Sequence, residues 1–407
     1  MKILMCHNLY RFRGGEERVK DLLVDLLRAR GHDVIEYLAD SREIDDYCAL
    51  RRLGVGLRAI YAPATVRAVR RLVHQSRPDV AHVHNVFPLL SPSLYVALHD
   101  LGVPVVQHIH NFRLLCPNGL FFVEGAVCQR CAGGNFAHAV IHRCLHGSLP
   151  MSAAYAASMA LHWRLGTFPH KLGWLLAPNR FTADALIRRI SAAGGDPARV
   201  VVLPHPIDTA NLIPRQGQAF EPVVIYMGRL SAEKGLSTLV QAMAQVPELE
   251  LHLIGDGPER AALEAQVAAL RLGNVRFLGY VAGEARFARL REAMCLAMPS
   301  LMHEQFGMAI AEAFALGVTV VASGMGALPE LVQHEENGLL FTAGRVDELA
   351  ACLKRLAGDP ALVLRLGEAA RRTVEQNHNP DAYYARLMDV YRRAVVERSE
   401  TRLQSPD

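Results

Sequence analysis

Arg229 and Lys234 stand five residues apart in the stretch Gly228-Arg229-Leu230-Ser231-Ala232-Glu233-Lys234-Gly235, directly after an apolar run that reads as a strand. A guanidinium fork and an ammonium point charge at the end of a strand suit a diphosphate. Two solvated cations on a loop are the plain alternative. Further along, Glu304-Gln305-Phe306-Gly307 is followed by Glu312. These two acids span the entrance to a short apolar helix, expected over residues 307–316, and suit the hydroxyls of a ribose and a sugar. Gly307 and Met308 open that helix, where backbone N–H groups and the helix dipole favour an anion. Glu312 is its single charge, and a buried carboxylate is costly without a partner. A structural ion pair would satisfy it as well as a ligand would. Gly255-Asp256-Gly257-Pro258 and Gly324-Met325-Gly326-Ala327-Leu328-Pro329-Glu330 could also bring backbone close to a ligand, or could be ordinary strand–helix turns.

These residues need strands to hold them. Apolar runs at 2–6, 34–38, 80–83, 103–109, 175–177 and 200–203 predict one set. Helical patterns lie between them, such as Val19, Leu22, Leu23, Leu26 and Leu27, stopped at Gly31. Pro204, Pro206 and Pro214 with the polar segment 215–220 read as a linker. Runs at 223–227, 251–254, 275–278, 295–298 and 319–322 then repeat the pattern. The alternation predicts an α/β chain with parallel sheets flanked by helices. Two domains are expected, 1–205 and 206–379, with a last helix at about 380–398 packing back on the first. Ligands of such sheets bind at the carboxyl ends of the strands, in a cleft.

The 407 residues suit two cores, and 51% hydrophobic with 21% charged residues is a globular composition. The N-terminal apolar run is too short for a signal peptide, and no window approaches the roughly 18 apolar residues of a spanning helix. The expectation is a cytoplasmic chain, free or at the inner face of the cell membrane. Formal charge is only +4, yet residues 51–77 hold seven arginines and no acid. A solvated helical face is the commonest outcome of such a run. Peripheral contact with anionic lipid is the second reading, and nucleic acid is excluded for want of aromatics and of a recognisable binding fold.

Four of the eight cysteines fall in the pattern Cys116-x11-Cys128-x2-Cys131-x12-Cys144, among turn residues. In a cytoplasmic chain that usage favours metal over disulfides, and four thiolates make a closed, structural zinc site. His138, His142 and His146 could substitute for one ligand. Reduced thiols, an iron–sulfur cluster or a redox dithiol are the alternatives. Cys6, Cys48, Cys295 and Cys352 read as scattered buried thiols. His82-Val83-His84-Asn85 ends a strand and could face an acceptor, though packing is slightly favoured.

The ordered set Gly228-Arg229-Leu230, Lys234-Gly235, Gly255–Pro258, Glu304-x7-Glu312 with Phe306-Gly307, and Gly326–Glu330 resembles the donor-binding half of the GT-B glycosyltransferases, specifically retaining family 4. Similarity of pattern runs over about residues 1–395. The resemblance implies two Rossmann-like domains facing each other across a cleft, with a nucleotide-diphosphate sugar as donor and a saccharide or lipid-linked acceptor, as in bacterial cell-surface polysaccharide synthesis. It implies that Arg229 and Lys234 hold the donor diphosphate, that Glu312 binds the ribose, and that Glu304 contacts the sugar. Gly14 and Gly15 would close over the phosphate, and His110, before Asn111, would lie near the transferred sugar. His108 competes for that assignment. The same resemblance implies front-face transfer with retention and no catalytic metal. The stretch His110–Gly119 with the cysteines after it resembles a bacterial subgroup, whose insert at 111–165 would shape the acceptor side. Three rivals stay open. A glycoside hydrolase would use two carboxylates without the cation pair. An epimerase would convert the donor alone, and a nucleotide-sugar sensor would bind without turnover.

Overall fold

The computed structural model describes residues 1–11, 14–217 and 219–404. The chain divides into two compact units: Met1–Val123, Cys128–His205 and Asp381–Asp407 form the first, Glu124–Val127 and Pro206–Pro380 the second. In the first, β1 (Lys2–Leu9), β2 (Asp33–Asp40), β3 (Val80–Val83), β4 (Val105–His108), β5 (Trp174–Ala177) and β6 (Val200–Val202) form one sheet in the order β2-β1-β3-β4-β5-β6. Its pairs are parallel. A parallel sheet is covered on both faces, so its strands read as continuous apolar runs, and alternate residues serve opposite cores. Leu4, Cys6, Ala81 and Val83 join one core; Ile3, Met5, Val80 and Val106 join the other.

That second core is closed by the helices Gly15–Ala29 and Pro380–Gln404, through Leu23 and Leu27 of the former and Leu387 and Tyr391 of the latter. The first helix is capped from its own sequence: the Gly14 N–H donates to Glu17 at 2.8 Å and the Tyr10 N–H donates to the same carboxylate at 3.0 Å. The segment 111–165 contributes to the other core, where Phe112, Leu115, Phe121, Phe136, Tyr155 and Trp163 are buried.

The second unit repeats the plan with β7 (Glu221–Met227), β8 (Glu250–Ile254), β9 (Val275–Gly279), β10 (Ala293–Met298), β11 (Thr319–Ser323) and β12 (Leu339–Phe341). The order is β9-β8-β7-β10-β11-β12, again parallel. Succession therefore runs outward from β7 on one side and from β10 on the other, and the carboxyl ends of these two neighbours flank a topological switch point. β12 has only three residues and follows Asn337-Gly338, too short a run to stand out by periodicity.

Two expectations need correction. Cys48 is exposed, not a buried thiol, because it precedes the helix Ala49–Ile60 in an irregular turn. The apolar helix spans Met308–Ala315, with Gly307 as its left-handed cap at φ 80°. Within the segment read as a linker, Ile207 is buried in the second core and its N–H donates to the His378 carbonyl at 2.9 Å. The arginine-rich stretch forms the helices Ala49–Ile60 and Pro63–Ser76. The second buries Val66, Val69 and Val73 and exposes Arg67, Arg70 and Arg71, while Arg58 donates to the Tyr47 hydroxyl. The side chains of Arg51 and Arg52 lie outside the described residues. Among the described residues, no helix is long and apolar enough to cross a membrane.

Candidate active site

In the second unit, the segments leaving β7 and β10 meet at the switch point. Lys234 ends a short 3₁₀ turn, Ala232–Lys234, after β7, and Gly235 follows in the left-handed region at φ 68°. A Cβ on Gly235 would fall 2.1 Å from the Pro299 carbonyl, so only glycine lets this turn lie against the chain leaving β10. The result is a direct bond: Lys234 Nζ donates to Glu304 Oε1 at 2.7 Å, and Ser300 Oγ donates to the same oxygen at 2.5 Å. Glu304 is fixed further by its backbone. It bridges to Gly326 in the loop after β11, whose Ala327 N–H donates to the Glu304 carbonyl at 3.0 Å.

Arg229 is placed differently. Its Nη2 donates to Glu233 Oε1 at 2.7 Å, and Ser231 Oγ donates to that oxygen at 2.6 Å. Burial alone would raise the Glu233 carboxyl, but the hydrogen bonds from Ser231 and Arg229 outweigh it and hold it below its ordinary value. The Arg229 side chain is still 57% exposed. Glu312 meets Arg286, whose Nη2 donates to Glu312 Oε1 at 3.2 Å, and the guanidinium stacks over Phe287 at 4.2 Å. The sequence left the partner of Glu312 open; an arginine from the helix Glu284–Glu292 fills that place. Lys234 and Glu304 are thus brought together, whereas Arg229 and Glu312 each have a cation–carboxylate pair of their own.

The first unit concentrates histidines. His82 and His84 leave β3 on one face of the sheet, and His108 and His110 leave β4 on the same face. The register His82↔Val106 sets His84 level with His108. Rings of His84 and His110 stack at 5.0 Å and those of His108 and His110 at 4.5 Å, while His205 stacks on His110 at 5.3 Å. Hydrogen bonds link them edge to edge. Tyr391 Oη lies 2.6 Å from His82 Nδ1, His82 Nε2 lies 3.3 Å from His108 Nδ1, and His108 Nε2 lies 3.1 Å from His205 Nδ1. Burial pushes His82 down to about 3 and His108, His84 and His110 well below the ordinary imidazole range. All are neutral near pH 7.

Nitrogens of His82, His84 and His108, and of His108, His110 and His205, lie within 4.8 Å of one another. A metal needs lone pairs aimed at one point. Here some rings are stacked and others tilted, with the nearest nitrogens in hydrogen bonds to each other, which suits a hydrogen-bonded cluster. His110 itself is partly exposed, and Asn111 beside it donates to the Tyr10 hydroxyl at 3.3 Å. Gly14 caps the first helix and Gly15 opens it.

Cys116, Cys128, Cys131 and Cys144 line one small pocket with His138 and His142. Burial, then the neighbouring Cys116, push the Cys131 thiol up to about 12. Thiols and imidazoles lining one pocket are the donor types of a closed tetrahedral site, so the residue types fit zinc. His142 Nε2 accepts from Arg130 at 2.7 Å, and His146 is exposed and is not one of the residues lining the pocket.

Comparison with known proteins bears on the whole arrangement. Residues 13–211 match the family described as Glycosyltransferase Family 4, and residues 213–373 match Glycosyl transferases group 1. The 2-deoxystreptamine glucosyltransferase of Streptomyces kanamyceticus is 34% identical over 328 residues, 78% of either chain. The chain belongs to the group 1 glycosyltransferases. The phosphatidyl-myo-inositol mannosyltransferase of Mycolicibacterium smegmatis is 26% identical over 95% of this chain and 92% of its own. The solved structure of the Anabaena protein HepE in complex with UDP superposes with a TM-score of 0.67 at 22% identity, covering 96% of this chain and 99% of the other. That likeness establishes the GT-B architecture, two parallel-sheet Rossmann-like units.

Several residues of this glycosyltransferase escaped the sequence. Glu233 pairs with Arg229 and Ser300 holds Glu304, and neither has a type or spacing that marks it. Arg286 was invisible because its partner lies on another element. The histidine stack had a signal: His82-x-His84 and His108-x-His110 share the two-residue period of a strand, so each pair points to one face.

Proposed function

We propose that this glycosyltransferase moves a sugar, with retention of anomeric configuration, from a nucleotide-diphosphate sugar to a saccharide or lipid-linked acceptor of a bacterial surface polysaccharide. The observation that carries the reading is the Lys234–Glu304 pair at the switch point, with Arg229 projecting from the same loop. As the bond between sugar C1 and the diphosphate oxygen breaks, negative charge grows on the departing β-phosphate. Lys234 and Arg229 stabilise that charge, which is where such a catalyst gains most. The acceptor oxygen bonds to C1 on the face the diphosphate leaves, and its proton passes to the leaving phosphate oxygen. Glu304, held by Ser300, orients a sugar hydroxyl, and Gly307 and Met308 offer backbone N–H groups to the phosphate. Glu312, paired with Arg286, accepts from the ribose hydroxyls. Gly14 and Gly15 cover the donor phosphate, and His110 faces the transferred sugar. A UDP complex in a protein of the same fold and a phosphatidylinositol acceptor named for a relative support the two substrate classes.

Incubation with UDP- and GDP-sugars is expected to raise the melting temperature for one base, by mass action. Nucleotide diphosphate should then appear only when an acceptor is present. Conversion of the sugar without acceptor would mark an epimerase instead, and binding without turnover a sensor.

The four-thiol pocket, on the same reading, holds one structural zinc, which staples segment 111–165 and supplies no step of the reaction. Freshly purified protein is expected to carry about one zinc per chain by elemental analysis. Replacing Cys131 by Ala should abolish it and lower the melting temperature. Metal-free protein with an unchanged melting curve would remove the assignment.

A further inference from the structure

We propose that His84 is a positioning residue that fixes the tautomer of His110, so that His110 presents Nδ1–H, a hydrogen-bond donor, to the sugar of the donor substrate. The sugar contact rests on the function proposed above; the tautomer does not.

His84 Nδ1 lies 2.7 Å from His110 Nε2. Both rings are neutral, so one carries the proton in that bond and two arrangements exist. If His110 donates from Nε2, its Nδ1 is bare, and His84 must carry its own proton on Nε2. That atom is buried in a residue only 1% exposed, and among the described residues it has no hydrogen-bond partner. A buried N–H without an acceptor is the rarest kind of unsatisfied group. If His84 donates from Nδ1, the orphan is a bare nitrogen on a ring beside those of His82 and His108, and His110 carries its proton on Nδ1. The second arrangement leaves no buried N–H unpaired.

The neighbours leave no third route. Burial raises Tyr391 well above its ordinary range, so its hydroxyl stays protonated and donates to His82. His82 then donates to His108, and His108 to His205. That chain uses one N–H of each ring and offers none to His84 or His110. The backbone of the pair is pinned as well: Gln107 Nε2 donates to the His84 carbonyl at 2.6 Å and to the His108 carbonyl at 2.8 Å, while Tyr95 donates to Gln107 Oε1 at 2.6 Å. His110 therefore faces its ligand as a donor. It would hydrogen-bond a sugar oxygen; it would not act as a base through Nδ1.

Nitrogen-15 spectra of histidine-labelled, ligand-free protein test this directly. His110 is expected to show a protonated-type resonance at Nδ1 and an unprotonated-type resonance at Nε2; the reverse pattern overturns the inference. Variants give a second reading. His84→Asn keeps an N–H donor near the same place and should retain activity to within roughly threefold, whereas His84→Asp, which only accepts, should pull the proton to His110 Nε2 and lower kcat on the order of 100-fold with the donor KM nearly unchanged. Equal losses in the two variants, or losses confined to KM, would also overturn it. If either variant fails to fold, the wild-type spectrum decides alone. Because that spectrum is read without substrate, a protein lacking transferase activity would fail the functional reading and leave the tautomer result standing.

Discussion

Replacing Lys234 by Ala is expected to lower kcat/KM by a factor of about 100 to 1000 while leaving the fold in place, the usual loss when one preorganised stabiliser of a developing negative charge is removed. The side chain is only 21% exposed, so its stem loses some packing, but the surrounding core is untouched. Glu304 keeps the Ser300 hydroxyl as a partner, which limits the penalty of leaving its carboxylate alone. A melting temperature close to that of the wild type, with turnover nearly gone, is the expected pair of results. Arg229→Ala should lose less, because its guanidinium is half in solvent and shares its charge with Glu233. Steady-state kinetics with the preferred nucleotide sugar separate the outcomes. Unchanged turnover in the Lys234 variant would remove the chemistry assigned to the switch point.

Acid should unfold this protein earlier than its carboxylates alone would require. Burial lowers His82 to about 3, and burial with Lys20 beside it lowers His7 to about 4. Unfolded, both titrate near the ordinary value of about 6.5. Between that value and the folded pKa the unfolded chain binds more protons than the folded one, so stability rises with pH in this window and falls as pH drops. Each such histidine contributes about 1.4 kcal/mol per pH unit, or on the order of 5 kcal/mol for the pair between pH 6.5 and 4.5. That is comparable with the whole stability of many domains. Urea midpoints measured between about pH 7.5 and 4.5 are expected to fall steeply below 6.5, and His82→Gln should flatten the slope. A flat profile, or an unaltered slope in the variant, would contradict the neutral, buried stack.

The fold was legible because its signals are local. Continuous apolar strands such as 223–227, amphipathic helices such as the one after Gly14, and glycines at strand ends all appear within a few residues. The motif positions were legible for the same reason, and the structure joins Lys234 to Glu304 as one cluster. What stayed hidden are partners brought from afar. Arg286 reaches Glu312 from another helix, Tyr391 reaches His82 across most of the chain, and His205 completes a stack begun at His82. Exposure was equally hard to read: Cys48 has the type of a core residue and sits in a turn.

The position of Tyr391 has a further consequence for biogenesis. The helix Pro380–Gln404 is the last described element to leave the ribosome, yet it closes a core that begins with Ile3 and Met5. The unit synthesised first is thus finished last, after the intervening unit already has its complete sequence. Until that helix has been made, the helix Gly15–Ala29 covers only part of this apolar face of the amino-terminal sheet, and the nascent chain needs shielding over the rest.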